Sequence, residues 1–338
     1  MSAKPWRLRA LTSFAMVAVL SGCGGSPSSA GPDAASEPAA SVTPAGAPPE
    51  EVTLAQLDAA KMPVSGAPDW MAHDGRNVFV KTGSGSVAVI DPDKSAEVRR
   101  LGLGTTGLCQ GIGAGGGAVW SCDPNPSGTT DDLMRVNPKS GKVERIAVGK
   151  RPDQGHLDSA ASRVWVITDA GLVGVNLTDG TRDTPIDLGV PGTDLTVVDE
   201  RAYVVSRAAG AVVAVDLAGR RVLWQSNVGD ARAVEASRTE VWVVSRTELV
   251  ALEKEGLKEA ARIPIEGVPC SVAVEGDRVL VSGSQPLMTE VDATTHRVSR
   301  VITDATPDEC GDVHVAFGSI WLSTNEGDVV YRVPLQTK

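Results

Sequence analysis

Basic residues are in deficit in this 338-residue chain, with 32 Lys and Arg against 42 Asp and Glu and a formal charge of −10. Removing the first 23 residues takes away Lys4, Arg7 and Arg9 and no acid, which leaves −13. That balance argues against nucleic acid, whose phosphates are bound chiefly through Lys and Arg. Histidine is scarce, at four residues, and no His, Cys or Asp spacing matches a zinc site. No Gly-rich loop leads into a helix, so no cofactor is called for. Long hydrophobic runs are missing too. The longest, 10–20, is too short for an ordinary transmembrane helix. Aromatics are only 4% of the chain, while Gly (36) and Pro (21) are plentiful. With 42% hydrophobic content, that composition suits a packed fold of many short strands and turns.

What is present is a repeat. The stretch 202–229, AYVVSRAAGAVVAVDLAGRRVLWQSNVG, reads as three strands broken by Gly, Ala, Asp and Arg turns. Its first run recurs seven times, centred on Phe79, Trp120, Trp165, Tyr203, Trp242, Leu280 and Trp321, with gaps of 41, 45, 38, 39, 38 and 41 residues. Each copy has a following run, such as VAVID ending at Asp91 or VVAVD ending at Asp216, and six have a third, such as VRRLGLG. A shorter run precedes each aromatic one, as at 271–274 and 313–317. Four strands in a period near 40 residues predict an all-β, seven-bladed propeller of four-stranded antiparallel blades. The seventh copy lacks its outer run, and EVTLAQL (51–57) is expected to supply it by pairing with 329–333, so that an N-terminal strand closes the ring.

Both faces of a blade's middle strands are buried in such a ring. The aromatic position is therefore read as blade-to-blade packing, against the alternative of a ladder of substrate-stacking tryptophans. Asp91, Asn137, Asn176, Asp216 and Asp292 close the runs that follow the aromatic ones and are read as turn-forming Asx residues rather than catalytic acids.

The N-terminus reads as an export signal: Lys4, Arg7 and Arg9, then the apolar stretch, then Leu20-Ser21-Gly22-Cys23. The last four resemble the lipobox of bacterial lipoproteins. That resemblance implies cleavage after residue 22, acylation of Cys23 and attachment to membrane lipid. Residues 23–50 are Ser/Ala/Pro/Gly-rich and read as a disordered tether, leaving 51–338 for the propeller. An exported chain favours disulfides. Cys109 and Cys122 flank QGIGAGGGAVWS, while Cys270 and Cys310 stand at the entrances to inner strands of adjacent blades, so the expected bridges are 109–122 and 270–310.

NVFVKTGSGSVAVIDPDKSAEVRRLGLG (77–104) resembles the YVTN-type repeat, and the resemblance extends over 51–338. It implies a seven-bladed extracytoplasmic propeller but no single chemistry. Propellers of this kind include surface-layer proteins, streptogramin lyases, lactonases and quinoproteins. A lyase-like site would need paired histidines and a glutamate over the channel, and no motif places them. LAGRRVLW at 217 resembles the tryptophan-docking segment of quinoprotein repeats, but it occurs once. Of the histidines, His314 is expected to border the channel, His156 sits beside Asp153, Gln154 and Asp158, and His296 is expected in solvent. The sequence assigns no catalytic residue and no metal ligand.

The reading that results is a lipid-anchored envelope propeller that binds a small ligand or an envelope protein. The alternative is a propeller enzyme of the streptogramin-lyase, lactonase or quinoprotein type. Its site is expected where inter-blade loops and the loops after the aromatic strands meet at one mouth of the channel. Those loops carry Asp153, Gln154, His156, Asp169, Arg207, Arg246, Gln285 and Asn325.

Overall fold

A valine-rich strand with both faces buried must find a packing partner on each side, and a ring supplies one to every blade. The computed structural model describes residues 47–104, 111–123, 131–150, 157–160, 162–304 and 311–335. It shows seven antiparallel blades, each built from the channel outward. Blade 1 is Pro68–His73, Val78–Thr82, Ser86–Asp91 and Ala96–Gly102. Blade 2 is Ile112–Gly115, Ala118–Asp123, Asp131–Val136 and Val143–Gly149. Blade 4 is Asp194–Val198, Arg201–Ser206, Ala211–Asp216 and Arg221–Asn227, and blade 5 is Ala233–Ala236, Glu240–Val244, Glu248–Glu253 and Glu259–Pro264. Blade 6 runs Pro269–Glu275, Arg278–Gly283, Met288–Asp292 and Arg297–Ile302.

Blade 3 departs from the pattern. Leu157–Ala160, Arg163–Thr168 and Gly171–Asn176 form its sheet. The fourth place, expected as the run DTPIDLG, is filled by a segment that pairs with the third strand through isolated bridges, Leu172↔Ile186 and Val175↔Arg182, rather than a continuous ladder. Gly171 lets the chain come that close. Its φ is +117°, and a Cβ there would collide with the Ile186 carbonyl.

Closure differs from the expectation in its address. Val313–Ala316, Ser319–Thr324 and Val329–Pro334 make three strands of blade 7. The fourth is Ala60–Pro63, with Ala60 opposite Arg332 and Pro63 opposite Val329. An N-terminal strand closes the ring, but it is not 51–57. Glu50–Val52 instead adds to blade 6 as a fifth strand, parallel to Arg297–Ile302. Between the two lies a helical turn with a reciprocal cap. Thr53 N–H donates to Gln56 Oε1 at 2.7 Å, and Gln56 N–H donates to Thr53 Oγ1 at 3.3 Å. That turn drops Leu54 and Leu57 into the gap between blades 6 and 7.

Among the described residues the buried hydrophobics fall into seven clusters, one for each gap between neighbouring blades. The repeated central residue always enters the cluster it shares with the next blade: Phe79 packs with Val119 and Met134, and Trp321 with Val78 and Val80. All seven central residues are buried, which settles the aromatic position as packing. Two tryptophans also satisfy their polar atom. Trp120 Nε1–H donates to the Gly115 carbonyl and Trp321 Nε1–H to the Ala316 carbonyl, both at 3.0 Å.

The Asx residues behave as read. Asp91, Asn137, Asn176, Asp216 and Asp292 each accept at Oδ1 from a backbone N–H two or three residues on. His296 does not. Rather than standing in solvent, it is half-buried, with Nε2 2.8 Å from Glu240 Oε1 and its ring edge-on to Trp242 of blade 5.

Candidate functional site

The inner strand of each blade has a channel edge whose N–H groups have no neighbouring strand to pair with. Such groups must find acceptors. The geometry of the blades supplies them. Directly opposite the seven central residues stand Ala72, Gly113, Asp158, Thr196, Glu235, Ala273 and His314, each seven positions earlier in the chain. Opposed residues share a face of the sheet, so these side chains also point toward the next blade.

A carboxylate there, or two residues earlier, reaches the adjoining inner strand. Asp158 Oδ2 accepts from Val197 N–H of blade 4 at 2.7 Å. Asp194 Oδ2 accepts from Val234 N–H of blade 5 at 2.9 Å. Asp312 Oδ2 accepts from Met71 N–H of blade 1 at 2.9 Å, and its Oδ1 accepts from Ser271 Oγ of blade 6 at 2.5 Å. Thr196 Oγ1 donates to Glu235 Oε1 at 2.7 Å, again from one blade to the next. These are ring-locking acids.

Together the inner strands enclose an axial cavity of about 290 Å³, to which all seven blades contribute and which no described Lys or Arg lines. Its titratable groups are perturbed accordingly. Burial pushes Asp158 up, against the two backbone N–H donors that favour its charge. Burial, with the negative charge of Asp158 close by, pushes Glu235 up to about 7. Burial also lowers His314 to about 3 and His73 below its ordinary value, the latter opposed by Asp74.

Glu235 yields a prediction with a definite sign. Its folded-state value lies above the unfolded 4.5, so between pH 4.5 and 7 the folded chain holds a proton that the unfolded chain has shed. Stability contributed by this group therefore falls as pH rises through that window. Glu235→Gln keeps an acceptor for Thr196 and Ala236 and removes the titration. Because the side chain keeps some contact with the cavity, the gain at pH 8 is expected to be about 2 kcal/mol rather than the full ~3. Denaturant melts at pH 5 and pH 8 check this, and an equal difference at the two values would refute it.

The residues expected at the mouth fare differently. Asp153, Gln154 and His156 lie outside the described residues, as do Cys109 and Cys310. Asp169, Arg207, Arg246, Gln285 and Asn325 all follow second strands, on the face that also carries the inter-blade connections. The first four are exposed and Asn325 is half-buried. Asp169 is 3.9 Å from Lys150, and Arg207 is 3.3 Å from Asp230. None of the five lines the axial cavity; they form a rim around it. Trp224, in the segment that resembled quinoprotein docking, is half-buried beneath the Arg201 guanidinium, 5.2 Å from its ring centre.

His314 does border the channel, and it meets a residue the sequence did not pair with it. His73 Nδ1 lies 2.9 Å from His314 Nε2. Among the described residues no three His, Cys, Asp or Glu side chains converge as a metal cluster.

No family model matches the chain, and no curated protein does. Solved structures do. The computationally designed Ika8 protein is similar at 12% identity and a TM-score of 0.57, over 80% of this chain and 98% of that one. BamB from Moraxella catarrhalis is similar at 16% identity and a TM-score of 0.54, over 78% of this chain and 83% of its own. The likeness is one of fold. It agrees with the strand pairing in making the chain a β-propeller and leaves the chemistry to be argued from the residues.

Proposed function

We propose that this chain is a lipid-anchored, extracytoplasmic propeller of the YVTN-repeat type, acting as a binding or scaffold module at the cell envelope. One observation carries the binding reading. The acids on the inner strands are committed to neighbouring blades, which leaves the rim, with the exposed Asp169, Arg207, Arg246 and Gln285 and the half-buried Asn325, as the polar surface that faces solvent and can meet a ligand or an envelope protein. Loops on a rigid ring are where such recognition resides. The basic start, short apolar run and Leu20-Ser21-Gly22-Cys23 support acylation of Cys23, with 23–50 as the tether. An oxidising compartment supports the bridges 109–122 and 270–310, and non-reducing peptide mapping reads their connectivity.

The anchor and the partner are tested together. In its own envelope the parent chain is expected in the detergent phase, cross-linked through rim residues to a recurrent partner. Cys23→Ala is expected to lose detergent partitioning or to accumulate as precursor. Identical partitioning of the two sinks the anchor. Cross-links that avoid the rim sink the binding face.

A propeller enzyme is the second reading, favoured by the His73–His314 pair in a cavity that Glu235 also lines.

A further inference from the structure

The seam where blade 7 meets blade 1 carries the one histidine pair of the described channel. His314 stands on the inner strand of blade 7 and His73 at the end of the inner strand of blade 1. Their ring centres are 5.1 Å apart with planes inclined at 59°, and Phe317 packs edge-on to His73 at 5.8 Å. We propose that His73 and His314 form a two-imidazole site for a borderline divalent transition metal (Zn²⁺, Cu²⁺ or Ni²⁺) that cross-links the first and last blades at the channel.

Bite distance is the first argument. Two nitrogens each bound at about 2.05 Å are about 2.9 Å apart at a right angle and about 3.3 Å apart at the tetrahedral angle. The two ring nitrogens share a hydrogen bond at 2.9 Å, a separation that also falls in that range, so an ion that displaces the shared proton finds both imidazole donors already side by side. His314 is held within the cavity wall, while His73 is exposed, so one ligand is fixed and the other can turn onto an arriving ion. Exposure of His73 also gives the ion a way in.

Charge is the second argument. The cavity is lined by Asp158, Asp194, Glu235 and Asp312, with no described Lys or Arg, and Asp74 follows His73 in the chain. A cation entering the channel therefore meets no competing fixed positive charge among the described lining residues. Zn²⁺, Cu²⁺ and Ni²⁺ all accept imidazole. No third protein ligand joins the pair among the described residues, so water completes the coordination and the site has open positions facing the channel. The site does not depend on the binding-module reading, since it needs only the seam.

The test uses the untagged full chain titrated with Zn²⁺ and with Cu²⁺, read by calorimetry and by the melting temperature. One ion per chain is expected, with a rise in melting temperature because the ion links two blades. His73→Gln and His314→Gln are each expected to weaken binding by more than about a hundredfold and to remove the thermal shift, a larger loss than outer-sphere changes alone give. His296→Gln, whose imidazole is engaged with Glu240, is expected to bind as the parent does. Should His314→Gln fail to fold, the exposed His73→Gln decides alone. Absence of stoichiometric binding by the parent, or binding indifferent to His73→Gln, overturns the proposal.

Discussion

Removing residues 47–64 opens the ring. The segment supplies the outer strand of blade 7 and carries Met62 and Val64, both buried against blades 7 and 1. Losing those two side chains alone is expected to cost about 3–6 kcal/mol. The edge of Val329–Pro334 is then bare and prone to pair with other chains. A shorter deletion, 47–57, also lowers stability, because Val52, Leu54 and Leu57 leave the gap between blades 6 and 7. Melting temperature does not separate the two, but hydrogen exchange does. Amides of 329–333 that face 60–63 should exchange freely after the long deletion and stay protected after the short one. Equal protection in both would show that Ala60–Pro63 does not close the ring.

Asp312→Ala is the point substitution with the largest expected effect outside the hydrophobic core, about 2–4 kcal/mol. The carboxylate is 5% exposed and joins three blades, accepting from Met71 N–H of blade 1 and Ser271 Oγ of blade 6 while standing on blade 7. Alanine leaves a buried N–H and a buried hydroxyl without that acceptor. Asp312→Asn keeps the shape and one acceptor oxygen, so it should recover part of the loss. Asp169→Ala, exposed on the rim, should stay within about 0.5 kcal/mol of the parent. Denaturant midpoints compare the three, and an Asp312→Ala midpoint matching that of Asp169→Ala would refute the ring-locking role.

The blades were legible because their signals are local. Alternating Val runs, a large residue every 38 to 45 positions and an Asx residue at five of the seven third-strand exits are written within a few residues of one another. The closing strand was misplaced because EVTLAQL alternates like a strand while Thr53 and Gln56 sit three apart, the spacing of a capping box. The cap prevailed, and the strand fell at AKMP instead. The inner acids were missed for a different cause. Their role depends on a neighbour about 40 residues away, as Asp158 to Val197 or Asp194 to Val234. A signal did exist: Asp158, Thr196, Glu235 and His314 all precede their central aromatic by seven residues, a polar offset within otherwise apolar runs. The His73–His314 pair spans 241 positions and follows only once the ring is closed.

The N-terminal clasp also sets an order of assembly. Glu50–Val52 and Ala60–Pro63 take partners about 250 and 270 residues further along the chain. Blades 1 to 6 each draw their four layers from a nearly continuous stretch, so they can form as the chain lengthens. The clasp has no docking site until the last blade exists. Contacts of that separation come late, because the loop they close is nearly the whole domain. Until then the growing chain keeps an open sheet edge at its seam, the condition in which incomplete propellers aggregate or exchange strands. Of the strands in the ring, the first synthesised are the last placed.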